Sequence, residues 1–240
     1  MEIPKKIDNC PIVDSVVELR FKSSIFPNAV FGLIFNSLQN DFPTVEKLPI
    51  LQLPEQLRDS DPNFKFKAQY RLVSQDGYSV QIGPDVIVMG APTPYPGWDN
   101  FFIKIKLVID KALEAGVVER VLRLGVRFIN FFEEDIFEQI NLDISINGKP
   151  HKTRKTQLRT EVESGGFLNT LNVANNATQK IDNNQKRNGS IIDIDTFKGY
   201  NDVNFKNIYQ AEITKAHKIE KEIFFKLLKT EYLESLNPKY

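Results

Sequence analysis

The order in which two hydrophobic periodicities follow one another most restricts what this chain can fold into. Pro11 to Phe21 has period two, with Val13, Val17, Leu19 and Phe21 on one side and Glu18 and Arg20 on the other, as in a half-buried strand. Pro27 then opens a helical stretch with Val30, Ile34 and Leu38 on one stripe, Phe31 and Phe35 beside it, and Pro43 to end it. A Pro-containing connection, Thr44 to Asn63, leads to Phe64–Val73. There Phe64, Phe66, Ala68, Tyr70 and Leu72 alternate with Lys65, Lys67, Gln69 and Arg71. Gln75-Asp76-Gly77 is a hairpin signal, Tyr78, Val80 and Ile82 start the return strand, and Gly83-Pro84-Asp85 interrupts it before Val86 to Met89. A second helix is predicted from Trp98 to Ala115, carrying Phe101, Ile105, Val108 and Ala112 in line, with Gly116 as its stop. Val121 to Phe132 reads as a strand with Leu122, Leu124, Val126 and Phe128 inside and Arg123 and Arg127 outside.

That order, β-α-β-β-α-β, predicts a ferredoxin-like half over residues 1–135, with both helices on one face of an antiparallel sheet and the other face open. The acidic stretch Glu133-Glu134-Asp135 marks the expected boundary. Over residues 136–240 strands precede one helix. Ile140, Leu142, Ile144 and Ile146 alternate into Asn147-Gly148; Leu158, Thr160 and Val162 precede Gly165-Gly166; Phe167–Ala174 and Ile191–Phe197 follow. Asn175 to Gly189 reads as a polar loop, and Asn207 to Leu236 as one long helix. The predicted class is α+β: a ferredoxin-like half, then an antiparallel sheet half with a long C-terminal helix.

Composition narrows the function classes. Thirty-one basic residues balance 31 acidic ones, so any affinity for nucleic acid or an anionic surface must come from a local patch. A core filled by aromatics is expected from 18 Phe against one Trp and two Met. One Cys and two His cannot supply the four N or S ligands of a structural zinc site. The polar N-terminus lacks a signal-peptide pattern, and no run approaches the ~20 apolar residues of a membrane span, which makes the cytoplasm the expected compartment.

Two sets of charged residues carry the chemical possibilities. On the open face of the predicted first sheet, Arg20, Lys65, Lys67, Arg71, Arg123 and Arg127 gather against Glu18 alone, a candidate surface for phosphates or an acidic protein partner. The aromatics of those strands are expected to point inward, leaving no platform on which bases would stack. In the second half, Glu161 and Glu163 share one strand face, and Asp193 and Asp195 share another. Were the strands neighbours, four carboxylates could hold Mg²⁺ or Ca²⁺. Solvated strand faces produce such pairs too, and Arg159 stands beside Glu161 as a counter-charge. No catalytic residue is assigned: Cys10, His151 and His217 lie in unrelated settings. The loop of Pro92, Pro94 and Pro96 before Trp98 is read as a cap on the core, and Gly165-Gly166 as a turn rather than a phosphate cradle.

Pro11-Ile12-Val13-Asp14-Ser15-Val16-Val17-Glu18-Leu19-Arg20-Phe21, followed by Gln81-Ile82-Gly83-Pro84, Tyr95-Pro96-Gly97-Trp98 and Leu124-Gly125-Val126-Arg127-Phe128-Ile129-Asn130, resembles the landmarks of a sporadically distributed bacterial family of about this length. The closing segment from His217 through Phe224 to Leu236 fits it as well. The resemblance spans nearly the whole chain and implies a defence or mobile-element setting; it brings no reaction and no catalytic residues. The expected function is a non-enzymatic binding or regulatory protein acting with a protein partner and needing no cofactor. The alternatives are a metal-dependent enzyme on phosphodiesters, using Glu161, Glu163, Asp193 and Asp195, and a nucleic-acid-binding module.

Overall fold

The computed structural model describes residues 2–150, 155–180, 186–200 and 204–240, apart from the side chains of Asp59 and Lys180. In chain order it contains β1 (Lys6–Ile7), β2 (Ile12–Lys22), α1 (Pro27–Leu38), β3 (Thr44–Lys47), α2 (Glu55–Ser60), β4 (Tyr70–Val73), β5 (Ser79–Gly83), β6 (Val86–Gly90), α3 (Trp98–Glu114) and β7 (Arg120–Phe132). Then come the short β8 (Ser145–Ile146) and β9 (Lys149–Pro150), the long β10 (Gln157–Ser164), β11 (Phe167–Lys180) and β12 (Lys186–Gly199), then α4 (Phe205–Leu227), α5 (Thr230–Ser235) and β13 (Pro238–Lys239). The class is α+β, with nine strands in one antiparallel sheet of order β10-β11-β12-β7-β2-β6-β5-β4-β3. The chain forms two compact units, each interleaving distant segments: Asp14–Val126 with Phe197–Thr214, and Met1–Val13 with Arg127–Thr196 and Lys215–Tyr240.

In the unit built on Asp14–Val126, α1 starts at Pro27, whose fixed φ suits the first helical position, and it buries Val30, Ile34 and Leu38 completely. Helix α3 buries Phe101, Ile105, Val108, Ile109 and Ala112 and stops where Gly116 takes φ +69°. Each fully buried Leu, Ile, Val or Phe here contributes about 1.5–3 kcal/mol of transfer free energy. The two predicted helices are thus present at their predicted places.

The sheet beneath them is not the ferredoxin-like split. Thr44–Lys47, expected within a connection, pairs with β4, and Gly83-Pro84-Asp85 turns the return strand back on itself as β5 and β6. Four strands therefore separate the helices where two were expected. Antiparallel pairing runs unbroken from β2 through β6, β5 and β4 to β3, so β4 runs against β2; the split motif needs that strand parallel. The predicted strand Phe64–Val73 is also shorter. Asp61 accepts from the Asn63 N–H and Pro62 follows it, which sets a 3₁₀ turn over Pro62–Phe64, and pairing begins only at Tyr70.

In the other unit the core joins strand residues Phe132, Leu171, Val173, Ile192 and Ile194 to Phe224, Phe225, Leu228, Leu233 and Leu236. The predicted single closing helix is two. Lys229 N–H donates to Gln139 O at 2.9 Å and Asn141 N–H to Leu227 O at 2.7 Å, so the chain near residue 140 takes up the backbone groups that would continue α4. Ile140, predicted to lead a strand, is instead 1% exposed and bridged to Leu228, and only Ser145–Ile146 pairs, around Asn147-Gly148 at φ +51° and +72°. Strands β11 and β12 also run into the predicted Asn175–Gly189 loop, as far as Lys180 and back from Lys186.

Candidate functional site

The six cations do not form one free positive face. Glu18 accepts from Arg20 Nε at 2.7 Å and from Arg123 Nη1 at 2.5 Å, so one carboxylate on β2 serves two guanidinium groups. Phe66 lies under Arg20, its ring centroid 4.9 Å from the guanidinium carbon, and Phe197 lies under Arg123 at 4.2 Å. Phe66 thus sits with a cation, contrary to the expectation that the aromatics of the first-half strands face inward. Gly125 makes room for the arrangement, since a Cβ there would stand 2.5 Å from Arg123 Nη1. Arg71 faces Glu46 across the β3–β4 pair at 3.4 Å. Lys65 and Lys67 are exposed between the 3₁₀ turn and β4, and Lys65 Nζ lies 5.4 Å from the centroid of the same Phe66 ring that Arg20 covers.

Arg127 and Asp193, drawn from the cationic and the acidic candidate sets, turn out to be each other's partner. Arg127 Nε and Nη2 each donate to a different Asp193 oxygen at 2.7 Å, a two-pronged pair around a carboxylate only 8% exposed as a residue. Glu161 and Glu163 do not converge with it. Glu161 and Glu163 are exposed on β10, which β11 separates from the strand of Asp193 and Asp195. Among the described residues no group of three or more His, Cys, Asp or Glu could hold a metal ion.

The acidic stretch at residue 135 closes a different structure. A cavity of about 270 Å³ is lined by Glu133, Glu134, Asp135, Asn175, Asn188 and Ser190, among others. Asp135 accepts from Phe137 N–H and from Asn175 Nδ2, Ser190 Oγ donates to Glu134 O, Arg187 donates to Glu133, and Tyr232 donates to Glu134. Those bonds knit the end of β7 to β11, β12 and α5, which accounts for the acids structurally.

Burial shapes the settings of both Cys10 and His217. Desolvation raises the Cys10 thiol above its ordinary value, the opposite of an activated cysteine. His151 lies outside the described residues. His217 packs against Phe128 with ring centroids 5.8 Å apart, and burial, helped by the Lys221 charge, pushes its pKa down to about 3. One turn further along α4, Glu220 is 5% exposed and burial pushes its carboxyl up to about 8, with Lys221 opposing only in part. Glu220 was missed in the sequence although it carries a signal. It falls on the buried stripe of Ile213, Ala216 and Phe224, where a carboxylate breaks the apolar period.

The most available recognition element is the edge of the sheet. Strand β10 ends the strand order and has no neighbour beyond it among the described residues; seven of its eight residues are exposed, with Val162 at 47%. Its inner side is held firmly. Gly165 and Gly166, at φ +59° and +78°, make the tight turn to β11, and a Cβ on Gly165 would meet Ile219 Cδ1 at 2.7 Å. Buried Asn169 donates to Val162 O at 2.9 Å and accepts from Thr196 at 2.7 Å. Register fixes the outer side. Asn175 N–H donates to Thr156 O, and Ser164 pairs with Phe167 across the two-residue turn, so Leu158, Thr160 and Val162 direct their backbone groups to β11. Gln157, Arg159, Glu161 and Glu163 direct theirs outward. The opposite edge, β3, offers only four residues, and Val45 is its exposed apolar side chain at 43%.

The chain matches no protein-family model, no curated protein and no solved structure.

Proposed function

We propose that this chain is a non-enzymatic binding protein that works through a protein partner, taken up as an added strand along β10. The observation that carries the reading is the run of outward backbone groups at Gln157, Arg159, Glu161 and Glu163 on an edge held by its hairpin turn and by Asn169. An added strand gains affinity from main-chain hydrogen bonds and specificity from alternate side chains, and β10 offers both. The edge is long and carries neither Pro nor Lys, and the charges it does carry, on Arg159, Glu161 and Glu163, select for a strand of complementary charge. A polyanion is the less favoured partner because Arg20, Arg71, Arg123 and Arg127 already face carboxylates.

Glu161→Pro tests this reading. Proline at an outward position deletes one edge donor and leaves the bonds of Thr160 and Val162 to β11 in place. A host protein retained by the immobilised wild-type chain should be lost with this variant while circular dichroism stays unchanged. Retention of the same protein by both chains would overturn the proposal.

A further inference from the structure

We infer that the strand β10 accepts is β10 of a second copy of this chain, the two meeting antiparallel about a two-fold axis at Thr160. The inference rests on the edge being a docking site and adds the identity of the partner.

It follows from the sequence of the edge read against itself. Antiparallel pairing of two identical strands places residues at equal distances on either side of the axis opposite one another. With the axis at Thr160, Arg159 faces Glu161 of the other copy, and Glu161 faces its Arg159. Gln157 faces Glu163, Leu158 faces Val162, and Thr160 faces Thr160. Every opposed pair is thus charge-complementary, polar with polar or apolar with apolar, and no like charges meet directly.

The backbone phase agrees independently. The residues with outward N–H and C=O groups are Gln157, Arg159, Glu161 and Glu163, and this register opposes them only to one another. They form the hydrogen-bonded pairs, about eight main-chain bonds across the axis, while Leu158–Val162 and Thr160–Thr160 are the closer, non-bonded pairs. Shifting the axis by one residue, to Glu161, would place Glu161 on Glu161 and Arg159 on Glu163. Shifting it to Arg159 would place Arg159 on Arg159. Either shift centres a like-charge pair, so the charges select Thr160. The interface is isologous and closed, as a two-fold dimer requires. It is also small, one strand against one strand, so the dimer is expected to be concentration-dependent rather than permanent.

Charge reversal tests the inference through a readout that a different partner would not give. By light scattering across a dilution series, the wild-type chain should pass from monomer to dimer. Arg159→Glu should weaken the dimer at least tenfold, because it places Glu opposite Glu twice. Adding Glu161→Arg to that variant should restore the dimer, since the swapped charges are again complementary across the axis. In a Cys10→Ser background, Thr160→Cys should cross-link to dimer under mild oxidation, because the non-bonded antiparallel pair brings Cα atoms to about 4.5 Å. A dimer that survives both Arg159→Glu and Glu161→Pro would overturn the inference by locating the interface elsewhere. A wild-type chain that stays monomeric while another protein binds in a Glu161→Pro-sensitive manner would overturn it too, and would leave the binding function standing. A monomer with no such binding would overturn both.

Discussion

Glu220 sets the most exacting energetic prediction. Its carboxyl is 5% exposed on the buried stripe of α4, makes no hydrogen bond among the described residues, and has its pKa pushed up to about 8 by burial. In the unfolded chain the same group ionises near its ordinary value of 4.5. Between those two values the folded state holds a proton that the unfolded state has released, so folding takes up a proton and stability falls as pH rises. The cost grows by about 1.4 kcal/mol per pH unit, reaching about 3 kcal/mol at pH 7 and levelling near 5 kcal/mol above pH 8. Glu220→Gln keeps the shape of the neutral acid and cannot ionise. Urea unfolding followed by circular dichroism should therefore give the two proteins equal stability at pH 4.5, with the variant ahead by a margin that widens to about pH 8 and then stays constant. Parallel pH profiles for variant and wild type would refute the reasoning, for they would mean the carboxyl is charged or solvated in the folded protein.

Three further outcomes follow from named contacts. His217, with its pKa pushed down to about 3, stays neutral in the fold while the unfolded chain protonates below 6.5, so stability falls as the solution is acidified from pH 6.5 towards 3. His217→Gln should flatten that acid limb, a gain of about 1–2 kcal/mol at pH 5 on the same urea assay. Arg127→Ala should cost about 2–3 kcal/mol by stranding the buried Asp193 carboxylate. Asp193→Ala should cost less, because the Arg127 side chain is 44% exposed and can hydrate; equal losses would contradict the assignment of Asp193 as the buried member. Gly189→Ala drives a Cβ to 2.1 Å from Phe132 O and should lower the urea midpoint by about 3 kcal/mol in stability, whereas Gly199→Ala, with Leu122 O at 3.8 Å, should change little.

What the sequence made legible was local. The stripes of α1 and α3 and the alternation of β7 depend on residues a few positions apart, and Pro27 and Gly116 mark their ends. Thr44–Lys47 gave no signal because all four residues are exposed, so no apolar face alternates. Phe64 to Phe66 alternated convincingly, yet Asp61 and Pro62 had already committed the chain to a turn. The break between α4 and α5 was hidden because the segment that ends α4 lies some 85 positions earlier, at Asn141. The cations misled for the same reason. Arg123 finds Glu18 across 105 positions and Arg127 finds Asp193 across 66, and strand order, not spacing, makes those pairs. The β10 edge was readable as a strand, but its place at the end of the sheet was not.

Residue-resolved amide hydrogen exchange measures directly whether β10 is an open, rigid edge that takes up a further strand. In dilute solution the amides of Thr160 and Val162 should exchange slowly, through their bonds to β11, while those of Arg159, Glu161 and Glu163 exchange fast. As the protein is concentrated, the three fast amides should become protected and the alternation should vanish. Fast amides that stay fast at every concentration and with every host protein added would contradict the uptake of a strand, and outward amides already protected in the dilute monomer would contradict the open edge.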